Sequence, residues 1–289
     1  MPPPVQWSFE PTVFAGVALL SVAYGWLWRR ARAPRVPHPP GYGQLALFAA
    51  SMACVVLALV SPLDSISDNV MAVHMVQHML LLDVIPVLLI LSLSKTLLRP
   101  VTRRIIMLEQ RTGLLATPAF AVFAYVVVVC SWHVPALYDL AIAHSGVHAL
   151  EHLCFSAVGL LFWWHLISPV RGRKRLSGLQ VIFYIGTAKL FIGTLGILLT
   201  FEPRCIYPWY IAQPHYWGLS PRADQNLAGA VMALEQSIVT GIALAYLVIK
   251  ALGDSERDAQ REEQYGGAMA SYRTALAATR KRQQTEQSR

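Results

Sequence analysis

Charged residues are scarce in this chain. Only 14% of its 289 residues are Asp, Glu, Lys or Arg, against about 25% in soluble domains. The mean hydropathy is +0.45, and apolar segments near the roughly 20 residues that cross a bilayer recur along the chain. These features exclude an ordinary soluble domain and indicate an integral membrane protein with several transmembrane helices.

The patterns that identify several other classes are also missing. The four cysteines show no close pairing motif, so we expect no disulfide framework. Residues 1–12 carry no basic stretch, so we expect no cleavable signal peptide. There is no nucleophile–base motif, phosphate loop or nucleotide fingerprint, and we expect no enzyme. The pI of about 9.5 is interpreted as a consequence of membrane topology, without nucleic acid as a partner.

Hydropathy predicts an all-α fold, an integral membrane bundle of seven transmembrane helices within residues 1–250. The predicted spans are Val13–Trp28, Gln44–Ser61, Met71–Leu93, Leu114–Trp132, Gly146–Ile167, Leu179–Thr200 and Asn226–Lys250. Residues 251–289 are predicted to form a polar cytoplasmic tail that is partly helical, around Ala268–Thr279, or disordered.

Lysine and arginine fall almost entirely on one side of these spans. The loops after spans one, three and five, together with the tail, hold 21 of the 24 basic residues. Because cytoplasmic loops carry the excess of positive charge, we predict the N-terminus outside and the C-terminus in the cytoplasm. The expected location is the bacterial cytoplasmic (inner) membrane, with membrane lipid around the bundle.

A run of histidine and methionine opens the third span. At about 100° per residue, His74 and His78 share one side of the helix with Met71, Met75 and Met79. Imidazole and thioether ligands together suit copper, and thioether favours Cu(I). The alternative interpretation is that the methionines pack a core and the histidines bond a neighbouring helix.

Histidines recur at the same predicted depth in other spans. His148 and His152 begin span five, with Glu151 beside them as a ligand or an orienting partner. His133 directly follows the outer end of span four, and His144 precedes span five. Because isolated polar groups are costly inside a membrane, we interpret this layer as a metal or haem site. Copper is preferred over zinc because of the methionines.

Three ionisable residues are predicted deep in the membrane, namely Asp83, Lys189 and Glu235. Each lies roughly 15–18 Å from the outer end of its span. We expect a structural ion pair between helices, with a proton path as the alternative. Counting residues places Glu235 slightly closer than Asp83 to the depth of Lys189, so Glu235 is the predicted partner.

The last outer loop, Phe201–Ala223, is rich in tyrosine and tryptophan. We interpret these residues as an interfacial belt, with a docking surface for a partner as the alternative. They are Tyr207, Trp209, Tyr210, Tyr216 and Trp217.

Several short motifs occur in a characteristic order. They are Ser61-Pro-Leu-Asp64, His74-Met-Val-Gln-His78-Met-Leu-Leu, Trp132-His-Val-Pro-Ala-Leu-Tyr138, His148-Ala-Leu-Glu-His152, Phe162-Trp-Trp, Ser220-Pro and Asp224-Gln-Asn-Leu-Ala-Gly229 with Met232. In these motifs the chain resembles the polytopic CtaG-type family of cytochrome c oxidase assembly factors. The resemblance implies a role in maturing a haem-copper oxidase at a copper centre. It also implies subunits of a terminal oxidase or a copper chaperone as partners.

Three functions compete on the sequence alone. The first is a copper-handling assembly factor acting on the outer face of the membrane. The second is a haem-binding membrane electron carrier, but His74 and His78 lie at one end of span three, so at most one haem fits. The third is a copper or proton transporter, which needs polar groups that continue inward. The sequence offers few such groups, namely Asp83, Lys189 and Glu235.

Overall fold

Helices are the regular secondary structure of the part of the chain that the structure describes. The computed structural model describes residues 1–34, 36–170, 176, 179–242, 244–246, 248–249, 253, 256–257 and 260, and these contain no β-strand. The α-helices in this part of the chain are α1 (Pro11–Ala31), α2 (Tyr42–Leu59), α3 (Pro62–Ser67), α4 (Met71–Leu91), α5 (Lys95–Leu98), α6 (Thr102–Thr112), α7 (Pro118–Trp132), α8 (Pro135–Ala143), α9 (Ser145–Ile167), α10 (Leu179–Phe201), α11 (Pro208–Ala212) and α12 (Pro221–Tyr246).

Within the described residues, six helices are long and apolar enough to cross a membrane: α1, α2, α4, α9, α10 and α12. The chain is therefore a multi-pass membrane protein, and these helices overlap six of the seven predicted spans. The remaining span, Leu114–Trp132, corresponds to α7, which has 15 residues. That length is about 22 Å, short of a hydrocarbon core of about 30 Å. A seventh span results only if α7 is joined to Thr102–Ala116, from which it bends by 61°.

Local sequence explains why α7 starts late. Gly113 adopts φ +55°, a conformation that residues with a Cβ rarely take, and α6 ends there. Thr117 then caps the next helix by accepting a hydrogen bond from the Phe120 N–H at 3.2 Å. Pro118 occupies the first turn, where its missing N–H costs nothing. An average of hydropathy over these residues does not detect the break, so it predicts one continuous span.

Helix α4 contains a π-helical segment, Leu80–Val84. Pro86 follows it and has no N–H to donate to the carbonyl of Leu82, four residues earlier. The carbonyl of Leu82 is thereby released from the α-helical hydrogen-bond pattern. Such π-segments are frequent at functional sites, and this one carries the buried Asp83.

The interior is built around α4 and α9. Helix α9 packs against α4, α7 and α8, helix α10 packs against α7, and α2 packs against α4. Helices α10 and α12 approach closely where Gly196 faces Gly229. A Cβ on Gly229 would lie 2.5 Å from the backbone nitrogen of Thr200. Small residues at such crossings let membrane helices pack backbone to backbone.

The chain divides into two compact units, Met1–Thr240 and Gly241–Arg289. The first unit contains every site residue discussed below. The predicted helix at Ala268–Thr279 lies outside the described residues, as does most of the predicted tail. The orientation of the termini stays a prediction.

Candidate metal centre

Helices α4 and α9 place their histidines side by side. The ring centroids of His74 and His148 are 5.3 Å apart, with the rings nearly parallel, and those of His78 and His152 are 5.7 Å apart. Within each helix the four-residue spacing brings the two rings to 4.1 Å in α4 and 4.2 Å in α9. Two pairs from separate spans therefore form one cluster of four imidazoles.

A carboxylate completes this histidine cluster. One ligand atom from each of His74, His78, His148 and Glu151 lies within 4.8 Å of the others. The closest approach to the carboxylate is from His78 Nε2 to Glu151 Oε1, at 3.8 Å. In tetrahedral coordination, two ligands that each lie about 2.1 Å from an ion are about 3.4 Å apart. The widest separation in this group therefore needs to shorten by up to roughly 1.4 Å to bind one ion.

Most ring nitrogens of the cluster have no hydrogen-bond partner among the described residues. Both nitrogens of His74 and His78 lack one, as do Nε2 of His148, Nε2 of His152 and Oε2 of Glu151. Each unsatisfied buried polar group costs about 1–3 kcal/mol. A metal ion would occupy several of these lone pairs at once, and imidazole with carboxylate suits copper or zinc. The residues present therefore fit a metal ion.

The other two predicted histidine ligands lie differently. His133 is buried, its Nδ1 lies 2.7 Å from the Val129 carbonyl oxygen, and its Nε2 has no partner in the described part of the chain. The ring centroid of Tyr138 lies 6.4 Å from that of His133 and 5.2 Å from that of His74 in the cluster. His144 is exposed and caps α9 in an extended backbone conformation. The structure brings His133 near the cluster and leaves His144 outside it.

The three predicted methionine ligands lie on the histidine-bearing helix. Met71 and Met75 are buried, and Met79 is half-buried. The regular α-helix Met71–Met79 keeps the predicted spacing between methionine and histidine. A thioether ligand remains a prediction beside the group of nitrogen and oxygen atoms.

The N-terminus of α4 is held by Asp224, which belongs to α12. Its Oδ2 accepts a hydrogen bond from the Met71 N–H at 2.8 Å, and its Oδ1 accepts one from the Ala72 N–H at 3.0 Å. These bonds satisfy two N–H groups that have no partner within the helix, and they place a carboxylate at the positive end of the helix dipole. The sequence motif that contains Asp224 does not indicate this role, because the contact joins residues more than 150 positions apart.

Two glutamines in the quoted motifs fix the surroundings of the cluster. The Nε2 of Gln77, between the two histidines of α4, donates to the Ala58 carbonyl and to Asp64 Oδ1, each at 2.8 Å. Gln225 Oε1 accepts a hydrogen bond from the Ile206 N–H at 2.8 Å. The first contact orients α4 against α2 and α3, and the second anchors the connection that leads into α11.

Tyrosines cover one end of the histidine cluster. The Tyr138 ring lies 5.2 Å from His74 and 4.3 Å from Tyr207. The Tyr207 hydroxyl donates to the His133 carbonyl at 3.0 Å, and the Tyr210 hydroxyl lies 3.3 Å from that of Tyr138. Tyr207 and Tyr210 are buried, so their interpretation as interfacial belt residues is wrong. Helix α11 packs against α8, a long-range contact that composition does not indicate.

Acidic residues accompany this tyrosine cover. Burial, and then the neighbouring Asp64, raise the pKa of Asp68 to about 6. Burial also raises the pKa of Asp139, whose Oδ1 accepts a hydrogen bond from the Trp209 N–H at 3.4 Å. The Trp209 indole in turn donates to the Asp68 carbonyl at 2.9 Å. Ionised carboxylates at this end would attract a cation.

Deeper in the bundle, Lys189 pairs with Asp83. Its Nζ lies 3.0 and 3.1 Å from the two carboxylate oxygens. Tyr125 and Trp163 donate to the same carboxylate, at 3.2 and 2.7 Å. All the charged atoms are buried, so each charge is both paired and hydrogen-bonded.

The predicted pairing of Lys189 with Glu235 is therefore wrong. The Glu235 carboxylate accepts a hydrogen bond from the side chain of Gln236, its neighbour on α12. Residue counting estimates depth alone, and the two carboxylates were predicted at nearly equal depth. Side-chain direction decides the pairing, and Asp83 lies in the π-segment Leu80–Val84, which does not follow α-helical periodicity.

The chain has relatives among known proteins. A family model described as "Cytochrome c oxidase caa3 assembly factor (Caa3_CtaG)" matches residues 22–254. The chain is similar to "Uncharacterized protein ML1998" of Mycobacterium leprae, with 24% identity over 274 residues, 90% of the chain and 41% of the relative. It is similar to "Uncharacterized protein Mb0105" of Mycobacterium bovis, with 26% identity over 278 residues and the same two shares. It thus spans about two fifths of the length of these curated relatives. No solved structure matches the chain.

Proposed function

Because the chain belongs to the cytochrome c oxidase caa3 assembly factor family, we propose that its histidine cluster binds copper on the way to the oxidase. One observation carries this proposal. The buried ring nitrogens of His74, His78 and His148 converge near Glu151, and most of them have no hydrogen-bond partner in the described part of the chain. Copper is cargo in this account, taken up and passed on by the site.

The donor chemistry supports copper over other ions. Imidazole binds copper and zinc well, whereas magnesium and calcium prefer sites made only of oxygen. Met71 and Met75 are buried on the same helix, and thioethers favour Cu(I). Copper is also the metal that a haem-copper oxidase requires during assembly.

Glu151 has a distinct role in this proposal. Its carboxylate is 1% exposed and lies against His78. An isolated charge at membrane depth is expensive, and one carboxylate beside a Cu(I) ion gives a neutral site. The histidines then supply coordination, and Glu151 compensates the charge of the cargo.

The surroundings of the cluster support exchange with an outside partner. By the charge distribution of the sequence, the histidine-bearing ends of α4 and α9 face outward in a bacterial cytoplasmic membrane. Asp68 and Asp139 lie at this end, beside the cover formed by Tyr138 and Tyr207. The partners in this account are a terminal oxidase subunit or a copper chaperone, which reach the site from this end.

The proposal is tested in cells that assemble the oxidase. A strain carrying His74→Ala with His78→Ala is compared with wild type and with His144→Ala, which removes an exposed histidine outside the cluster. With equal amounts of protein in the membrane, the double variant should leave the purified oxidase short of copper and low in activity. The His144→Ala strain should match wild type. Normal copper content in the oxidase of the double variant would contradict the proposal.

A further inference from the structure

Helix α6 is an exposed amphipathic helix with three arginines. None of its residues is buried, although Ile105 and Ile106 are half-buried on one side. Arg103, Arg104 and Arg111 are exposed. None of these three guanidinium groups has a hydrogen bond or ion pair with another residue in the described part of the chain. Glu109 is the one acidic residue of α6, so the helix carries a net positive charge.

Exposed leucines accompany these arginines. Leu108 is 62% exposed, and Leu114 and Leu115, directly after the helix, are 80% and 53% exposed. At about 100° per residue, Arg104 and Arg111 lie about 40° and 60° from Leu108 around the helix. Long basic side chains can reach from such a position to phosphate groups while neighbouring leucines enter an apolar layer.

Helix α6 is strongly inclined to the membrane normal. It bends by 61° from α7 at Gly113, and membrane helices tilt on average only about 20° from the normal. If α7 follows this tendency, α6 is inclined at roughly 40–80° to the normal, well away from the direction of the spanning helices. Its position between α5 and α7 is therefore that of an interfacial segment.

Neighbouring residues mark the same interface. At the end of α1 and the start of α2, the Arg30 guanidinium lies 4.9 Å from the Trp26 ring and that of Arg32 lies 4.5 Å from the Tyr42 ring. Aromatic residues with adjacent arginines are typical of the headgroup region.

Helix α5 links α6 to the end of α1, where these arginines lie. Leu97 of α5 packs in one cluster with Tyr24 and Ala31 of α1. The Thr96 hydroxyl donates to the His38 carbonyl at 3.0 Å. Helix α6 follows a few residues later, and the Thr102 hydroxyl donates back to the Leu98 carbonyl at 2.8 Å.

We propose that α6 is a binding site for anionic phospholipid headgroups, with Arg104 and Arg111 on the phosphates and Leu108, Leu114 and Leu115 in the acyl region. A lipid surface fits because it supplies negative charge and an apolar layer side by side. A soluble anion would match the arginines but would leave three exposed leucines in water. This site is independent of the histidine cluster, which lies at the other end of α4.

The test uses the purified full chain in mild detergent. Its thermal unfolding midpoint is measured during titration with short-chain phosphatidylglycerol, phosphatidylcholine or inorganic phosphate. We expect phosphatidylglycerol to raise the midpoint more than phosphatidylcholine, and phosphate to leave it unchanged. In Arg104→Gln with Arg111→Gln, the apparent affinity for phosphatidylglycerol should fall by about tenfold or more.

Two further variants separate charge on α6 from charge elsewhere. Arg204→Gln with Arg222→Gln removes one arginine before α11 and one after it along the chain, and it should keep the wild-type response. Arg104→Lys with Arg111→Lys should keep most of it, since the positive charge remains. An equal response of wild type to phosphatidylglycerol and phosphatidylcholine would overturn the proposal. A wild-type response to phosphatidylglycerol in Arg104→Gln with Arg111→Gln would also overturn it. A rise of the midpoint with inorganic phosphate alone would overturn it too, because it would identify a simple anion site.

Discussion

Gly159 of α9 lies directly against the backbone carbonyl of Leu82 in the π-segment of α4. A β-carbon on residue 159 would stand 2.2 Å from that oxygen and 2.9 Å from its carbon. Pro86, four residues later, has no N–H to donate to this carbonyl in the α-helical pattern. This crossing sets the distance between the two helices that carry the histidine cluster.

Gly159→Ala should therefore destabilise the protein and disturb the cluster. The new methyl group meets backbone atoms that cannot rotate away, and overpacking of this kind costs about 1–3 kcal/mol. We expect a lower thermal unfolding midpoint in detergent and weaker copper retention. Gly146→Ala is the matched control on the same helix, since a Cβ there meets nothing within 4 Å. Equal midpoints for the two variants would show that the crossing tolerates a methyl group.

The histidine cluster is the part of the site that the sequence predicts best. The spacing of His74 with His78 and of His148 with His152 places each pair on one helix face. The alternation of basic loops then places both pairs at one membrane level. Neither the spacing within a helix nor the alternation of basic loops depends on the exact helix ends, so both predictions tolerate errors of a few residues there.

Asp224 should matter for metal binding although it is not a ligand. Its carboxylate caps the N-terminus of α4 through Met71 and Ala72, and losing a helix cap costs about 1 kcal/mol. Asp224→Ala should lower the unfolding midpoint and the copper retained per chain, with Asp224→Asn intermediate.

Ser220→Ala is the matched cap control for Asp224. Ser220 accepts a hydrogen bond from the Ala223 N–H at the start of α12, so its loss weakens a cap on a different helix. Ser220→Ala should leave copper retention unchanged. Equal copper loss in the serine and aspartate variants would indicate a general effect of lower stability.

The ion pair of Lys189 with Asp83 should behave as a coupled unit. Removing one partner of a buried pair strands the other charge, at a cost of about 3–5 kcal/mol. Lys189→Met should reduce the yield of folded protein, and adding Asp83→Asn should restore part of it. Adding Glu235→Gln should restore less, since Lys189 bonds Asp83. Yields measured by size-exclusion chromatography check this order, and the reverse order would favour the Glu235 pairing.

Asp68 should make stability depend on pH. Its pKa is raised from 3.8 to about 6 in the folded protein, so the folded state holds the proton more tightly than the unfolded state. Proton binding by Asp68 therefore stabilises the folded state. This contribution to the free energy of unfolding is complete below about pH 4 and is lost as pH rises through about 6. Asp68→Asn should therefore raise the unfolding midpoint at pH 7.5 and leave it nearly unchanged at pH 4. A midpoint difference that is the same at both pH values would contradict the shifted pKa.

Other features lie beyond sequence reasoning for identifiable reasons. The π-segment Leu80–Val84 breaks α-helical periodicity, so the direction of Asp83 is not available from counting residues. The burial of Tyr207 depends on α11 packing against α8, and the role of Asp224 depends on a contact with α4. Contacts between distant segments of this kind leave no local pattern in a single sequence.

Histidines from α4 and α9 form one copper site in the function proposed for this chain. The most direct test is the copper content of the purified full chain, loaded with copper and freed of excess metal. Wild type and His144→Ala should retain one copper per chain, whereas His74→Ala with His78→Ala and, separately, His148→Ala with His152→Ala should each retain almost none. Full copper retention in either double variant would contradict the account, as would a wild-type protein that binds no copper and shows the Soret band of a haem.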